Sequence, residues 1–231
     1  MSKKNIFITA TDTGVGKTFI TALLAKALKD KGVNVLVVKC VSTGKSHDAE
    51  FIKNFSGIDT LLKDISPFNF KLPLAPLSAS RQEPDVNFSK KKLINHIKNM
   101  QDKSDFFIVE GIGGVMVPIF SHYYVSDLIK ELGYGCIVVS RPNLGTLNHT
   151  LLTINELKNK NINILGIVLN YCEKINSKKD ISIKTNAEVI EQESGVKILA
   201  EVPYFQRLSF AEDYVKGINI DYLLLRDTVT P

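Results

Sequence analysis

The run Thr11-Asp12-Thr13-Gly14-Val15-Gly16-Lys17-Thr18 carries the residue types that hold polyphosphate. Gly14 and Gly16 let the backbone turn its N–H groups toward an anion, and a helix opening near Lys17 adds its positive dipole end. Lys17 is then placed to reach the β and γ phosphates of a nucleotide, and the Thr18 hydroxyl to ligate a Mg2+ ion that bridges them. Val15 and Phe19 complete the predicted nucleotide-contacting run. Thr11 stands where such loops usually carry their first glycine.

Three more charged residues invite chemistry. Glu110 ends the apolar run "DFFIVEG" and is followed by Gly111, Gly113 and Gly114. A carboxylate on such a run is costly unless it is paired or bound to a cation. Metal ligation near the phosphates, capping of a neighbouring helix and pairing with a lysine all answer that need. Lys39 holds the matching place at the end of "VNVLVVK", where a cation beside a phosphate site would stabilise transferring charge. Asp48, which opens a predicted helix after Ser42, Thr43 and Gly44, is either an N-cap or a second oxygen ligand for Mg2+.

These residues need a frame. The short apolar runs at 5–10, 33–39, 105–111, 135–140, 162–170 and 196–203 read as strands buried on both faces. Stretches with helical spacing at 18–32, 125–133 and 146–161 lie between them. Such alternation predicts an α/β fold, a parallel sheet flanked by helices on both faces, with ligands beyond the carboxyl ends of the strands. The Pro- and Ser-rich segment 68–84 reads as a long connection, and residues 1–231 as a single domain.

Composition narrows the classes. The chain has 231 residues, 44% hydrophobic and 23% charged, enough for a well-buried core. Its 29 Lys and Arg against 24 Asp and Glu are spread along the chain, so no nucleic-acid footprint is expected. The densest basic run, Ser89 to Lys92, opens an amphipathic stretch and reads as a solvated helix face. No run approaches the about 18 apolar residues of a membrane span. Cys40, Cys136 and Cys172 are odd in number and widely spaced, which argues against disulfides and zinc and for a reducing cytoplasm. The four histidines show no metal spacing and no partner for a catalytic triad.

Taken together, "TDTGVGKT", "KCVSTG", "HDA", "VEGIGGVMVP", "NLGTLNHTLLT", "GIVLN" and "EVPYF" occur in an order that resembles the dethiobiotin synthases, ATP-dependent carboxylases of biotin synthesis with a P-loop NTPase-like fold. Cys40 stands where that family usually has proline. The resemblance implies MgATP on Gly14 to Phe19, with Mg2+ held by Thr18, Asp48 and Glu110. It implies adenine near Asn170, Tyr171, Pro203, Tyr204 and Phe205. It further implies 7,8-diaminononanoate against Thr13, Lys17, Lys39, Thr43, Glu110 and Gly113, with Lys17 and Lys39 catalytic and CO2 or bicarbonate as the third substrate. The far carboxylate of the diamine would meet Leu144, Gly145, Thr146, Leu147 and Asn148 from the second subunit of a homodimer. A glycine-containing loop that opens a helix suits that role, because free N–H groups there attract carboxylates. Thr11, Asp12 and Thr13 would face the second substrate.

Two other readings share the loop. A partitioning-type ATPase, acting as a regulatory switch, predicts a signature lysine where Asp12 stands and a basic or amphipathic tail, which 219–231 does not clearly offer. An amide-forming synthetase of corrinoid metabolism would need a glutaminase domain for which the chain has no room.

Overall fold

The computed structural model describes residues 3–44, 46–176 and 178–218; the C-terminal tail, 219–231, lies outside the described residues. The chain runs through β1 (Lys4–Ala10), α1 (Lys17–Asp30), β2 (Val35–Lys39), β3 (Ser42–Thr43), α2 (Asp48–Ser56), α3 (Leu62–Ile65), β4 (Asn69–Phe70) and α4 (Pro76–Gln82). It continues with α5 (Lys90–Gln101), β5 (Phe106–Glu110), β6 (Pro118–Phe120), β7 (Tyr123–Tyr124), α6 (Val125–Leu132), β8 (Gly135–Ser140) and α7 (Thr146–Asn159). β9 (Ile164–Asn170), a short 3-10 turn (Ile181–Lys184), α8 (Asn186–Ser194), β10 (Ile198–Val202) and α9 (Leu208–Lys216) follow.

Six strands form one parallel sheet in the order β10-β9-β8-β1-β5-β2. Side chains alternate between its faces, as a pleated strand requires. On β1, Ile6, Ile8 and Ala10 pack with α1, α2 and α9 in one core layer, while Phe7 packs in the other with residues of α5, α6 and α7. Both layers are apolar, which is why the strands read as continuous hydrophobic runs.

Strand order also sets the ligand position. From β1 the chain crosses to β2 on one flank, and from β5 it crosses back over β1 to β8 on the other. The divergence leaves a crevice beyond the carboxyl end of β1, and residues 11–16 occupy it.

The Pro- and Ser-rich connection is more structured than its composition suggests. Residues 68–84 contain β4 and α4, and Pro76 is the first residue of α4, where a missing N–H costs nothing. Among the described residues no helix is long and apolar enough to cross a membrane.

Candidate active site

The loop between β1 and α1 depends on two left-handed glycines, Gly14 at φ 77° and Gly16 at φ 87°. Gly16 caps α1 with no side-chain hydrogen bond, so the first N–H groups of the helix are not consumed by a capping side chain. Asn170, at the end of β9 and almost fully buried, donates from Nδ2 to the Val15 carbonyl at 3.0 Å. That bond presses the amide against Gly16, where an added methyl would sit 2.1 Å from Nδ2. Lys17 is 8% exposed and donates from Nζ to the Gly113 carbonyl at 2.9 Å. Burial holds its pKa below the ordinary lysine value, against the opposing pull of Glu110.

Lys39 and Glu110 meet because β2 and β5 are adjacent and parallel, with Lys39 directly opposite Glu110 in the register. Lys39 Nζ lies 2.8 Å from Glu110 Oε1 and 2.7 Å from Asp48 Oδ2. Burial pulls the Lys39 pKa down, but Glu110 and Asp48 more than offset it, and the ammonium ends above its ordinary value. For Asp48 burial works upward and Lys39 overcomes it, leaving the carboxyl below its usual range. Asp48 is the first residue of α2, and His47 precedes it as N-cap, so its carboxylate serves the lysine rather than its own helix end.

Thr18 completes the cluster by donating from Oγ1 to Glu110 Oε1 at 2.8 Å. The second oxygen, Glu110 Oε2, is buried and has no hydrogen-bond partner among the described residues. An orphaned carboxylate oxygen in a fully buried residue is expensive, and a hard cation answers it. Thr18, Asp48 and Glu110 thus present an oxygen set that fits Mg2+. Next to Lys39, the Cys40 thiol is buried and pushed up to about 12 by desolvation, so it stays neutral there.

The remaining predicted residues fall around this centre. Thr13 is exposed, and a methyl at Gly113 would come within 3.5 Å of its hydroxyl, so the two flank the same opening. Thr43 is half-buried on β3, just beyond Lys39. Tyr171, Pro203 and Tyr204 line a crevice of about 590 Å³ at the ends of β9 and β10. There the Tyr171 hydroxyl donates to Glu201 at 2.9 Å. Phe205 turns away from it: its ring lies 6.0 Å from that of Phe19 and 5.4 Å from that of Tyr214, packed against the core. Phe19 itself packs among Phe51, Phe55 and Phe205, with its ring tilted against each.

Residues 144–148 lie across β1 from the lysine and carboxylates, beyond the end of β8. Gly145, at φ 92°, caps α7, and Leu144 is 78% exposed. The Leu144 N–H donates to Asp180 at 2.9 Å, Leu147 is half-buried, and Asn148 is exposed. Thr146 is fully buried and its hydroxyl is engaged within the protein. Within one chain this loop is therefore on the far flank of the phosphate loop from Lys39.

Thr11 and Asp12 depart from expectation. The Thr11 hydroxyl points inward to Ser140 at 3.3 Å, and Asp12 lies 3.7 Å from the Arg141 guanidinium. Of the three polar residues that open the loop, Thr13 is the one beside Gly113. Arg141, missed in the sequence, lines a smaller cleft of about 270 Å³ with Gly14, Asn170 and Glu173. Its position just past a buried strand was the available signal.

A glycine-rich anion loop between the first strand and first helix of a parallel sheet, with acids and a lysine at neighbouring strand tips, defines a P-loop nucleotide-dependent enzyme. The family model described as an AAA domain matches residues 4–212. The chain is 42% identical over 214 residues to the "ATP-dependent dethiobiotin synthetase BioD" of Methanocaldococcus jannaschii, covering 91% of this chain and 98% of that one. It is 41% identical to the protein of the same name from Bacillus licheniformis, covering 89% and 88%. The chain belongs to the ATP-dependent dethiobiotin synthetase family. Among solved structures, the cell division ATPase MinD of Pyrococcus furiosus superposes with a TM-score of 0.57 at 22% identity, covering 94% of this chain and 89% of that one. A ParA family ATPase from Chlorobium tepidum gives 0.56 at 18%, covering 93% and 90%. At those identities the likeness is one of fold.

Proposed function

We propose that this chain is a dethiobiotin synthase: it joins CO2 to 7,8-diaminononanoate at the expense of ATP and closes the ureido ring, with ADP and phosphate as the other products. The observation that carries this reading is the meeting of Lys39, Asp48 and Glu110 with Thr18 of the phosphate loop, all within hydrogen-bond distance.

In the first step an amine of the substrate adds to CO2 and loses a proton, giving a carbamate. A carbamate oxygen then attacks the γ-phosphate, and ADP leaves. Finally the second amine attacks the carbonyl of the mixed anhydride, forming the second C–N bond and expelling phosphate. No side-chain nucleophile is needed, so the protein's work is to position groups and offset charge. Gly14 to Phe19 cradle the phosphates. Lys17, in exchanging the Gly113 carbonyl for phosphate oxygens, leaves that carbonyl open to the amine end of the diamine beside Thr13 and Thr43. Lys39 stays an ammonium at the carbamate end. Thr18, Asp48 and Glu110 would hold Mg2+, which would supply charge neutralisation at the phosphates. Asn170, Tyr171, Pro203, Tyr204 and the backbone at Phe205 frame the base.

Residues 144–148 follow β8, on the other side of β1 from Lys39, and in this reading they bind the substrate carboxylate of the other subunit of a homodimer. The reading places the enzyme in the cytoplasm, acting on small molecules, with one domain over 1–231. Mixing protein, MgATP, bicarbonate and 7,8-diaminononanoate is expected to give dethiobiotin by mass spectrometry, with each component required. Phosphate release that ignores the diamine and rises with lipid or DNA would point to a switch ATPase instead.

A pH effect follows from Lys17. Its pKa is depressed in the free protein, and phosphate oxygens on Nζ favour the ammonium, so nucleotide binding raises it. MgATP binding is then expected to take up a proton once the pH passes the lowered Lys17 value, over the range below the ordinary lysine value of about 10.4. Calorimetry in buffers of different ionisation enthalpy measures this directly. Proton release over the same range would contradict the placement of Lys17.

A further inference from the structure

Ser140, the last residue of β8, is fully buried and sits at the centre of a cluster of hydroxyls. Its Oγ is 2.8 Å from Thr146 Oγ1, 2.8 Å from Thr150 Oγ1 and 3.3 Å from Thr11 Oγ1. Thr146 and Thr150 close the triangle at 3.2 Å. A serine hydroxyl offers one proton and two lone pairs, which the three hydroxyls can share, with the Arg141 carbonyl a more distant acceptor at 3.5 Å. Thr11 begins the phosphate loop, and Thr146 is the first residue of α7. The cluster therefore joins two pieces of chain that the sequence separates by more than a hundred residues. Thr11 is tied a second time, through its N–H to the Val139 carbonyl at 3.0 Å.

We infer that Ser140 is a positioning residue for the diamine carboxylate: through Thr11 and Thr146 it locks the phosphate loop and the start of α7 into one unit, fixing the α7 N–H groups relative to the sheet. This rests on the reading above, in which residues 144–148 take that carboxylate. It also accounts for the threonine at the loop's first position, since glycine there would leave the phosphate loop without its side-chain tether. In the homodimer, the same cluster ties the phosphate loop of one protomer to the pocket its partner uses.

The test is steady-state kinetics of the full chain with 7,8-diaminononanoate. Ser140→Ala removes the central hydroxyl, and Thr146→Val removes its neighbour with little change of shape. Loss of a buried hydrogen bond amounts to about a fivefold to tenfold change in an equilibrium. The diamine KM of Ser140→Ala is accordingly expected to rise about fivefold to tenfold, with kcat and the KM for ATP within about twofold of wild type, because the Thr11 N–H still ties the phosphate loop to the Val139 carbonyl. Thr146→Val raises the diamine KM likewise, and Thr146→Ser restores it. Because the residues act together, the double variant is expected to be no worse than the stronger single one. An unchanged diamine KM in an otherwise active enzyme overturns the inference and leaves the function standing. A parallel loss of ATP affinity and diamine affinity overturns it too, by showing a general structural role. A wild-type protein that makes no dethiobiotin sinks the function, and the inference with it.

Discussion

Lys39→Met protein is expected to bind MgATP and make no dethiobiotin. Nζ of Lys39 is held between Glu110 and Asp48, and those two carboxylates keep it charged against the cost of burial. A lysine whose pKa is raised is a poor proton acceptor at neutral pH, so its value lies in a fixed positive charge where the carbamate and γ-phosphate approach each other. Methionine keeps most of the shape and removes that charge. Product formation should drop by at least about a thousandfold, or about 4 kcal/mol of barrier. The phosphates are held chiefly by the backbone of the phosphate loop and by Lys17, on which Lys39 acts only through space, so the Kd is expected to stay within about fivefold.

Stability should fall as well, because Glu110 is fully buried and loses its counter-ion; breaking a buried pair from one side costs about 3–5 kcal/mol. The pH dependence carries the same signature. Lys39, raised in the folded state, contributes stability that is complete below its unfolded pKa of about 10.5 and is lost as the pH climbs through the folded value. Asp48, depressed by Lys39, contributes above its unfolded value of about 3.9 and loses it as the pH falls through the folded one. In the variant both limbs of the denaturation profile should draw inward. Dethiobiotin measured by mass spectrometry and ATP affinity by calorimetry decide the matter. Weak nucleotide binding with residual ring closure would mean that Lys39 belongs to the phosphate site instead.

Much of this arrangement is local enough to be read from spacing. Strand, glycine loop and helix follow one another within residues 4–30, so neither the anion cradle nor the role of Lys17 needs any knowledge of distant contacts. The tips at Lys39 and Glu110 were legible for a related reason, since a charged residue that ends an apolar run must emerge at the sheet's edge. What spacing could not supply was the register. Only the pairing of β2 with β5 shows that these two residues, 71 apart in the chain, are direct neighbours. Sequence leaves Asp48 open between N-cap and metal ligand, because N-cap and first helical residue differ by a single position; the structure makes His47 the N-cap and turns the Asp48 carboxylate to Lys39. Sequence alone leaves Thr11 facing the substrate, because its partner, Ser140, is 129 residues away. The family resemblance puts Phe205 at the base, yet aromatic packing with Phe19 and Tyr214 claims its ring. The helix at 76–82 went unread because proline suggests a break, although at a first helical position it does not cause one. The apolar stretch in the tail, 219–231, falls outside the described residues.

Gly16→Ala is expected to abolish nucleotide binding, and Gly14→Ala only to weaken it. Both glycines have positive φ, so alanine at either position pays the left-handed penalty of about 1–2 kcal/mol. They differ in what a methyl would meet. At Gly14 nothing lies within 4 Å, and strain is the whole effect, equivalent to about a tenfold loss of ATP affinity if it falls on the bound conformation. At Gly16 the methyl would sit 2.1 Å from Asn170 Nδ2, so the amide must leave the Val15 carbonyl or the loop must shift away from β9. The first outcome strips the loop of its support, and the second withdraws the N–H groups from the phosphates. Either should cost more than about a hundredfold in affinity, or over 2.7 kcal/mol. Removing the obstacle separates sterics from strain: Asn170→Ala combined with Gly16→Ala should recover part of the loss, whereas Asn170→Ala in the Gly14→Ala background should recover none. Equal losses at the two glycines, with no rescue at Gly16, would show that backbone conformation alone governs the loop and that Asn170 is not its buttress.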